Sequence, residues 1–189
     1  MNRMKRISLI LIVLVLGAGY CIADQMILDE GSISAYLITY DSIEARIESA
    51  DLVVEAVLNG GPVNVLYEED EFLSGHTMSD IEIIRVLKVD TENSVIKGSV
   101  INIYEPYAVV DRGLMKPGKV RIVYEDYTPI QKGSSYILFL SWMDKQSCYG
   151  ISSLQEGKFN IDATDSLESA IENAKFKKLK DSVLYTYGQ

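Results

Sequence analysis

Lys132-Gly133-Ser134-Ser135-Tyr136-Ile137-Leu138-Phe139-Leu140 is the stretch on which the fold turns. The glycine marks a turn, and five consecutive apolar residues follow it. A strand alternates its side chains between two faces, so an unbroken apolar run suits a strand covered on both sides. The reading predicts a central strand over residues 136–142, the most buried of the chain. Around it the pattern repeats at close spacing. Residues 52–58 read as a strand. Asn59-Gly60-Gly61 then bends the chain, and residues 63–67 continue as strand. That continuation is either the return arm of a hairpin or the far half of one bent strand.

Residues 79–89 alternate, with Ile81, Ile83 and Leu87 on one face and Glu82, Ile84, Val86 and Lys88 on the other. Further strands are expected at 99–104 after Lys97-Gly98, at 120–124 after Lys116-Pro117-Gly118, and at 149–152 and 158–161. Short strands with glycine turns between them predict a barrel or sandwich rather than a parallel sheet. Two helical stretches flank them. Asp41 and Glu44 have capping-box spacing, and Ile43, Ile47 and Ala50 recur at helical period for about three turns. Thr164-Asp165-Ser166 opens a final helix with the stripe Leu167, Ala170, Ile171, Ala174, Leu179 and Val183, its lysines expected in the last turns.

The N-terminus carries a different message. Arg3, Lys5 and Arg6 precede the apolar run 7–16, and small residues follow at Gly17-Ala18-Gly19 and Cys21-Ile22-Ala23. That is the layout of a secretory signal peptide, with cleavage expected after Ala23. Two other endings are open: a lipoprotein acylated at Cys21, against which Tyr20 is large for the preceding position, and an uncleaved anchor. The expected organisation is a signal peptide over 1–23, a loosely held polar segment over 24–40, a β-barrel domain over 41–163, and a C-terminal helix and tail over 164–189. The expected location is secreted or the outer face of the cytoplasmic membrane, with membrane contact only through the N-terminal segment.

The order of strand motifs resembles a known group. Ser49-Ala50-Asp51-Leu52-Val53-Val54, Ile84-Arg85-Val86-Leu87-Lys88, the stretch 132–140 and Gly157-Lys158-Phe159 are similar to those of small secreted proteins of Gram-positive bacteria. More distantly they resemble the netrin-like OB-fold of tissue inhibitors of metalloproteinases. The resemblance covers residues 36–161 and implies an OB-like small barrel; with the helical stretches read above, the expected fold is mainly β, an OB-like small barrel with a short N-terminal helix and a C-terminal amphipathic helix. It does not carry the inhibitory chemistry with it. Those inhibitors present an N-terminal cysteine within Cys-x-Cys, and here Ala23 breaks that spacing after Cys21.

Chemistry-bearing residues are sparse. The formal net charge is −9 over 189 residues, which repels phosphate backbones and makes nucleic acid a poor partner. His76 is the only histidine and is read as an exposed loop residue. Glu68-Glu69-Asp70-Glu71 lacks the spacing of a calcium loop and is read as a solvated acidic loop. Cys148 is read as a small buried apolar residue in a strand, and Trp142 as a lid on the core.

The best candidates are Tyr104-Glu105-Pro106-Tyr107 and Tyr124-Glu125-Asp126-Tyr127, which share a Tyr-acid-x-Tyr form just past two strands. Rings beside carboxylates suit sugar faces or cationic groups. The expected ligand contacts are thus Tyr104, Glu105, Tyr107, Tyr124, Glu125, Asp126 and Tyr127, with no catalytic set, no metal ligands and no cofactor. The expected role is an exported, non-enzymatic binding or inhibitor-like module for a protein or glycan, with a carbohydrate- or cell-wall-binding module as the alternative.

Overall fold

The computed structural model describes residues 3–35, 38–40, 42–69, 72–89, 95–113 and 116–188, with backbone alone for 3–10, 68, 69, 72 and 73. In chain order the elements are α1 (Arg3–Asp24), β1 (Ile27–Ile33), α2 (Ile43–Ser49), β2 (Leu52–Leu58), β3 (Val63–Glu69), β4 (Phe72–Val89) and β5 (Val100–Glu105). There follow β6 (Tyr107–Asp111), β7 (Lys119–Tyr124), β8 (Ser135–Met143), β9 (Cys148–Ile151), a 3-10 turn (Leu154–Gly157), β10 (Lys158–Asn160), α3 (Ser166–Ser169) and α4 (Ala174–Tyr187). The chain divides into two compact units, one of residues 1–32 and 109–122, the other of 33–108 and 123–189.

In the smaller unit, α1 leads into a three-stranded sheet of order β1-β7-β6. Residues 27–33, expected to be loosely held, form its edge strand. Ion pairs Asp29–Arg112 (3.1 Å) and Glu30–Arg121 (3.4 Å) cross between its segments. Gly118, at φ +99°, lets the turn before β7 approach Leu28: a Cβ there would sit 2.4 Å from Leu28 Cδ1. Among the described residues no helix is long and apolar enough to cross a membrane.

The larger unit carries the expected mainly β class. Its pairings run β2 to β4, β4 to β5, β5 to β9, β9 to β8, and β8 back to β2. All are antiparallel except β5–β9, which matches over Ile103↔Tyr149 and Tyr104↔Gly150 alone. Five strands therefore close on themselves in an OB-like order, with the β5–β9 seam only partly zipped, so the barrel is not a clean one. Both β2 and β3 pair with β4 and lie end to end along it. The Asn59-Gly60-Gly61 bend thus continues one bent strand rather than turning a hairpin. Asn59 and Gly60 both donate to Asp80 O, which anchors the bend. Two register shifts, between Val53 and Val54 and between Glu55 and Ala56, let the long strand β4 coil around the ring.

The run 136–140 is the fully buried strand that its composition predicts. β8 sits between β10 and β2. Ile137 and Phe139 join one cluster with Ile43, Val53, Phe159, Phe176, Leu179 and Val183. By alternation Tyr136, Leu138 and Leu140 face the inside of the ring, equally buried.

Four local expectations are corrected. The cap of α2 is Ser42, whose Oγ accepts from Ala45 N, and the helix runs seven residues; Asp41 lies outside the described residues. The acidic stretch is not a long loop, since β3 reaches Glu69 and β4 starts at Phe72; Asp70 and Glu71 lie outside the described residues. The final helix is two helices. Asp165 caps α3 and Asn173 caps α4, and the new start resets the helical phase. Phe176 enters the core in consequence, while Leu167 stays 40% exposed. The lysines of α4 also fall in its first half, with none in the last turn.

Phe159 is fully buried, edge-on to Phe139 (5.9 Å) and stacked on Phe176 (5.5 Å). Phe159→Ala is expected to cost about 3–5 kcal/mol. Urea denaturation would show it as a lower midpoint with an unchanged slope.

Candidate ligand-binding groove

The two tyrosine motifs do converge, but into the core. Glu105 is 1% exposed and Tyr127 likewise 1%. Glu105 Oε2 accepts from Tyr127 OH (2.6 Å) and from Ile130 N (2.9 Å), and Oε1 accepts from Ser79 Oγ. Burial pushes the Glu105 carboxyl up despite these donors and the positive field of Lys158. Burial, then the neighbouring Glu105, pushes the Tyr127 phenol well above its ordinary value. Tyr107 is buried too, its ring 6.4 Å from that of Tyr127.

Glu105, Tyr107 and Tyr127 are therefore structural, and the expected exposed platform across both motifs is corrected. The reason is that β5 ends at Glu105 and the chain turns inward at Pro106, so the motif closes the barrel instead of leaving it. Glu125 stands in the left-handed region (φ 51°), its carboxylate accepting from Ala35 N. Glu125 and exposed Asp126 edge a small cavity of about 120 Å³ with Ser153, Gln155 and Phe176. Tyr124 is half-buried.

Tyr104 joins a feature that sequence reading missed. His76 lies in β4, not in a loop, and is 4% exposed. Its ring stacks on Tyr104 at 4.3 Å and is tilted against Tyr67 at 5.4 Å. The register explains the placement: Thr77, Ser79, Ile81 and Ile83 take the buried face, which leaves His76 and Met78 on the other. Gly75 precedes it because a Cβ there would meet Val65 O at 2.5 Å. Burial between two rings lowers the His76 pKa and raises that of Tyr104 to about 12.

Beside this stack lies a groove of about 420 Å³ lined by Met78, Ile101, Asn102, Trp142, Gln146 and Tyr149, among others. It occupies the strands β4 and β5 and the turn between β8 and β9, the region where OB barrels take ligands. Trp142 is not a closed lid: it is 38% exposed and its ring is set edge-on to Tyr149 at 5.1 Å, while its backbone N–H donates to Asp51 Oδ2 (2.7 Å). Asn102 Nδ2 donates to Asp80 Oδ1 (2.8 Å), which fixes the amide and leaves its oxygen as an acceptor. Among the described residues, none that lines the groove carries a formal charge. Cys148 lines it from β9, buried as expected, its thiol pushed up by burial.

No group of three or more His, Cys, Asp or Glu placed to hold a metal ion occurs among the described residues. No protein-family model matches the chain, and no curated protein is significantly similar to it in sequence.

The buried His76 gives a pH prediction. Its folded pKa lies below the ordinary 6.5, so the unfolded chain binds the proton more readily. Its contribution is intact above about pH 6.5 and is lost as pH falls through the folded value. Glu105, shifted upward, acts with the opposite sign in the acid range. The difference in unfolding free energy between the wild type and His76→Phe isolates the histidine. That difference should be flat above pH 7 and should move in favour of the variant as pH is lowered toward 5.

Proposed function

We propose that the larger unit is a non-enzymatic binding module whose groove takes a neutral glycan. The observation that carries this reading is the lining of the groove at the β8–β9 turn. Trp142 offers aromatic surface, braced edge-on by the buried Tyr149, while Asn102, Gln146 and Ser147 offer amide and hydroxyl groups around it. Sugars present apolar ring faces and a rim of hydroxyls, which match an exposed aromatic ring and neutral hydrogen-bonding groups. The uncharged lining argues against the cationic peptides that the net charge of −9 suggests. A non-enzymatic role is supported by how the acidic and basic groups nearest the barrel are spent. Glu105 is held by three donors, and Lys158 is held by Asp165 and Glu168.

The reading carries with it the export expected from residues 1–23, which would place the groove where extracellular polysaccharide is met. The likeness to netrin-like modules is proposed at the level of fold, supported by the closed order of five strands.

Trp142 is the only tryptophan, so intrinsic fluorescence reports on the groove directly. Titration with soluble oligosaccharides, including cell-wall fragments, should give saturable shifts in emission. Trp142→Ala should weaken binding about tenfold, measured calorimetrically, with little change in thermal midpoint because the indole is partly exposed. Equal affinity of variant and wild type would sink the assignment.

A further inference from the structure

Lys158 opens β10 and Asp165 caps α3, seven residues further along the chain. Both side chains are fully buried, and Lys158 Nζ lies 3.2 Å from Asp165 Oδ2. An amine and a carboxyl in such contact have two outcomes, an ion pair or an amide. In water the ion pair is favoured, because both charges are hydrated and water reverses the condensation. Neither condition holds here. Burial strips the hydration, and the attraction between buried charges offsets that loss only in part. Burial opposes ionisation of Asp165, but the attraction to Lys158 and the donors around the carboxyl hold it below its ordinary value, so the unreacted pair is ionised.

The neighbouring groups stand where a condensation needs them. Asp165 Oδ1 accepts from the backbone N–H of Leu167 (2.9 Å) and of Glu168 (3.1 Å). Donors so placed hold the negative charge that develops on an acyl oxygen under attack. Asp165 Oδ2 accepts from Tyr136 OH (2.8 Å). Glu168 is fully buried as well, with Oε2 3.6 Å from Lys158 Nζ. Its Oε1 is held by Asn160 N and Lys180 Nζ, each at 2.8 Å. Oε2 accepts a long bond from Gln155 Nε2 (3.5 Å) and faces Nζ, which suits it to take a proton from the amine. Charge balance survives the change. Condensation removes one positive and one negative charge, and Glu168 keeps Lys180 as its partner.

We propose that Lys158 and Asp165 condense within the folded chain to form an internal isopeptide bond. A proton passes from Nζ to Oδ2, which gives a neutral amine and a neutral acid. The Nζ lone pair attacks Cγ, and the C=O electron pair moves onto Oδ1 against the N–H groups of Leu167 and Glu168. Nζ then gives a second proton to Glu168 Oε2. The intermediate collapses: the C=O bond re-forms, the Cγ–Oδ2 bond breaks, and Oδ2 takes up that proton and leaves as water. Overall an ammonium and a carboxylate give an amide and one water, with no oxidant or co-reactant. The step occurs once per chain and turns over no substrate, so it leaves the binding role unchanged.

The full chain, purified folded at neutral pH, is denatured and digested with trypsin, and its peptides are weighed and fragmented. The bond after Lys158 should resist cleavage, since the ammonium that trypsin recognises is gone. The peptide spanning 158–165 should be lighter than its sequence by one water, with fragment masses that place the link between Lys158 and Asp165. Lys158→Arg keeps the charge but has no amine to condense, and its peptides should show their sequence masses. Glu168→Gln should slow the linkage about 10²-fold or more, followed as the linked fraction against time after the chain first folds. A thermal melt checks that both variants fold; where one does not, the wild-type peptide masses decide alone. Ordinary cleavage after Lys158 in a chain kept folded for days would overturn the proposal. So would a lost water placed anywhere but between Lys158 and Asp165, a link to Glu168 included.

Discussion

The ammonium of Lys158 is the constraint on which the larger unit depends. It is fully buried, 3.2 Å from Asp165 Oδ2, 3.6 Å from Glu168 Oε2 and 3.1 Å from Thr128 Oγ1, with the Tyr136 ring 4.7 Å away. Each partner does a second job. Asp165 accepts from Tyr136 OH with one oxygen and caps α3 with the other. Glu168 accepts from Asn160 N and Lys180 Nζ. One buried charge thus ties β8, β10, α3 and α4 together. The attraction to Lys158, which burial opposes, holds the Asp165 carboxyl below its ordinary value. Removing one partner of such a set leaves the others buried and uncompensated, a loss of about 3–5 kcal/mol in comparable cases.

That cluster explains why β8 can be apolar on both faces. An apolar strand needs a second layer, and the second layer here is α2 and α4 with the rings of Phe159 and Phe176, which cover Phe139 of β8. Asp165 and Glu168 fix the start of that layer, and Asn173 restarts it as α4. Polar specificity on one side of β8 and apolar packing on the other are therefore not separate features. The end of β8 escapes this cover. Trp142 stands at the last turn of the strand, past the aromatic cluster and beside the loosely zipped β5–β9 seam, and the groove forms there.

Strand positions were legible because each rested on a local signal: glycine at 98, 118 and 133, each at positive φ in the structure, and the apolar run 136–140. The burial of Arg46 was not. It falls among Ile43, Ile47 and Ala50 on a short helix, and nothing local says that Glu156, far along the chain, will meet it. His76 failed for a related reason. Gly75 reads as a loop residue, whereas the structure uses it so that β3 and β4 can approach closely. The tyrosine motifs were half legible: their convergence followed from both lying past strand ends, but their burial depended on Pro106 and on Ile130, which supplies a donor to Glu105. The groove residues Asn102 and Gln146 carried no signal beyond their place near strand ends, since neutral amides look alike in sequence whether they serve a ligand or water.

The charge distribution bears on the groove at Trp142. With a net charge of −9, the chain repels anions at long range. At physiological salt the screening length is about 8 Å, so distant carboxylates fade beyond that range. The described residues that line the groove at Trp142 carry no formal charge, and a neutral ligand there is indifferent to this repulsion. Its affinity should change by less than about twofold between 50 mM and 500 mM salt, measured by tryptophan fluorescence. A steep salt dependence at Trp142 would mean that the ligand reaches beyond the groove to the acidic surface. The neutral lining would then not be what selects it.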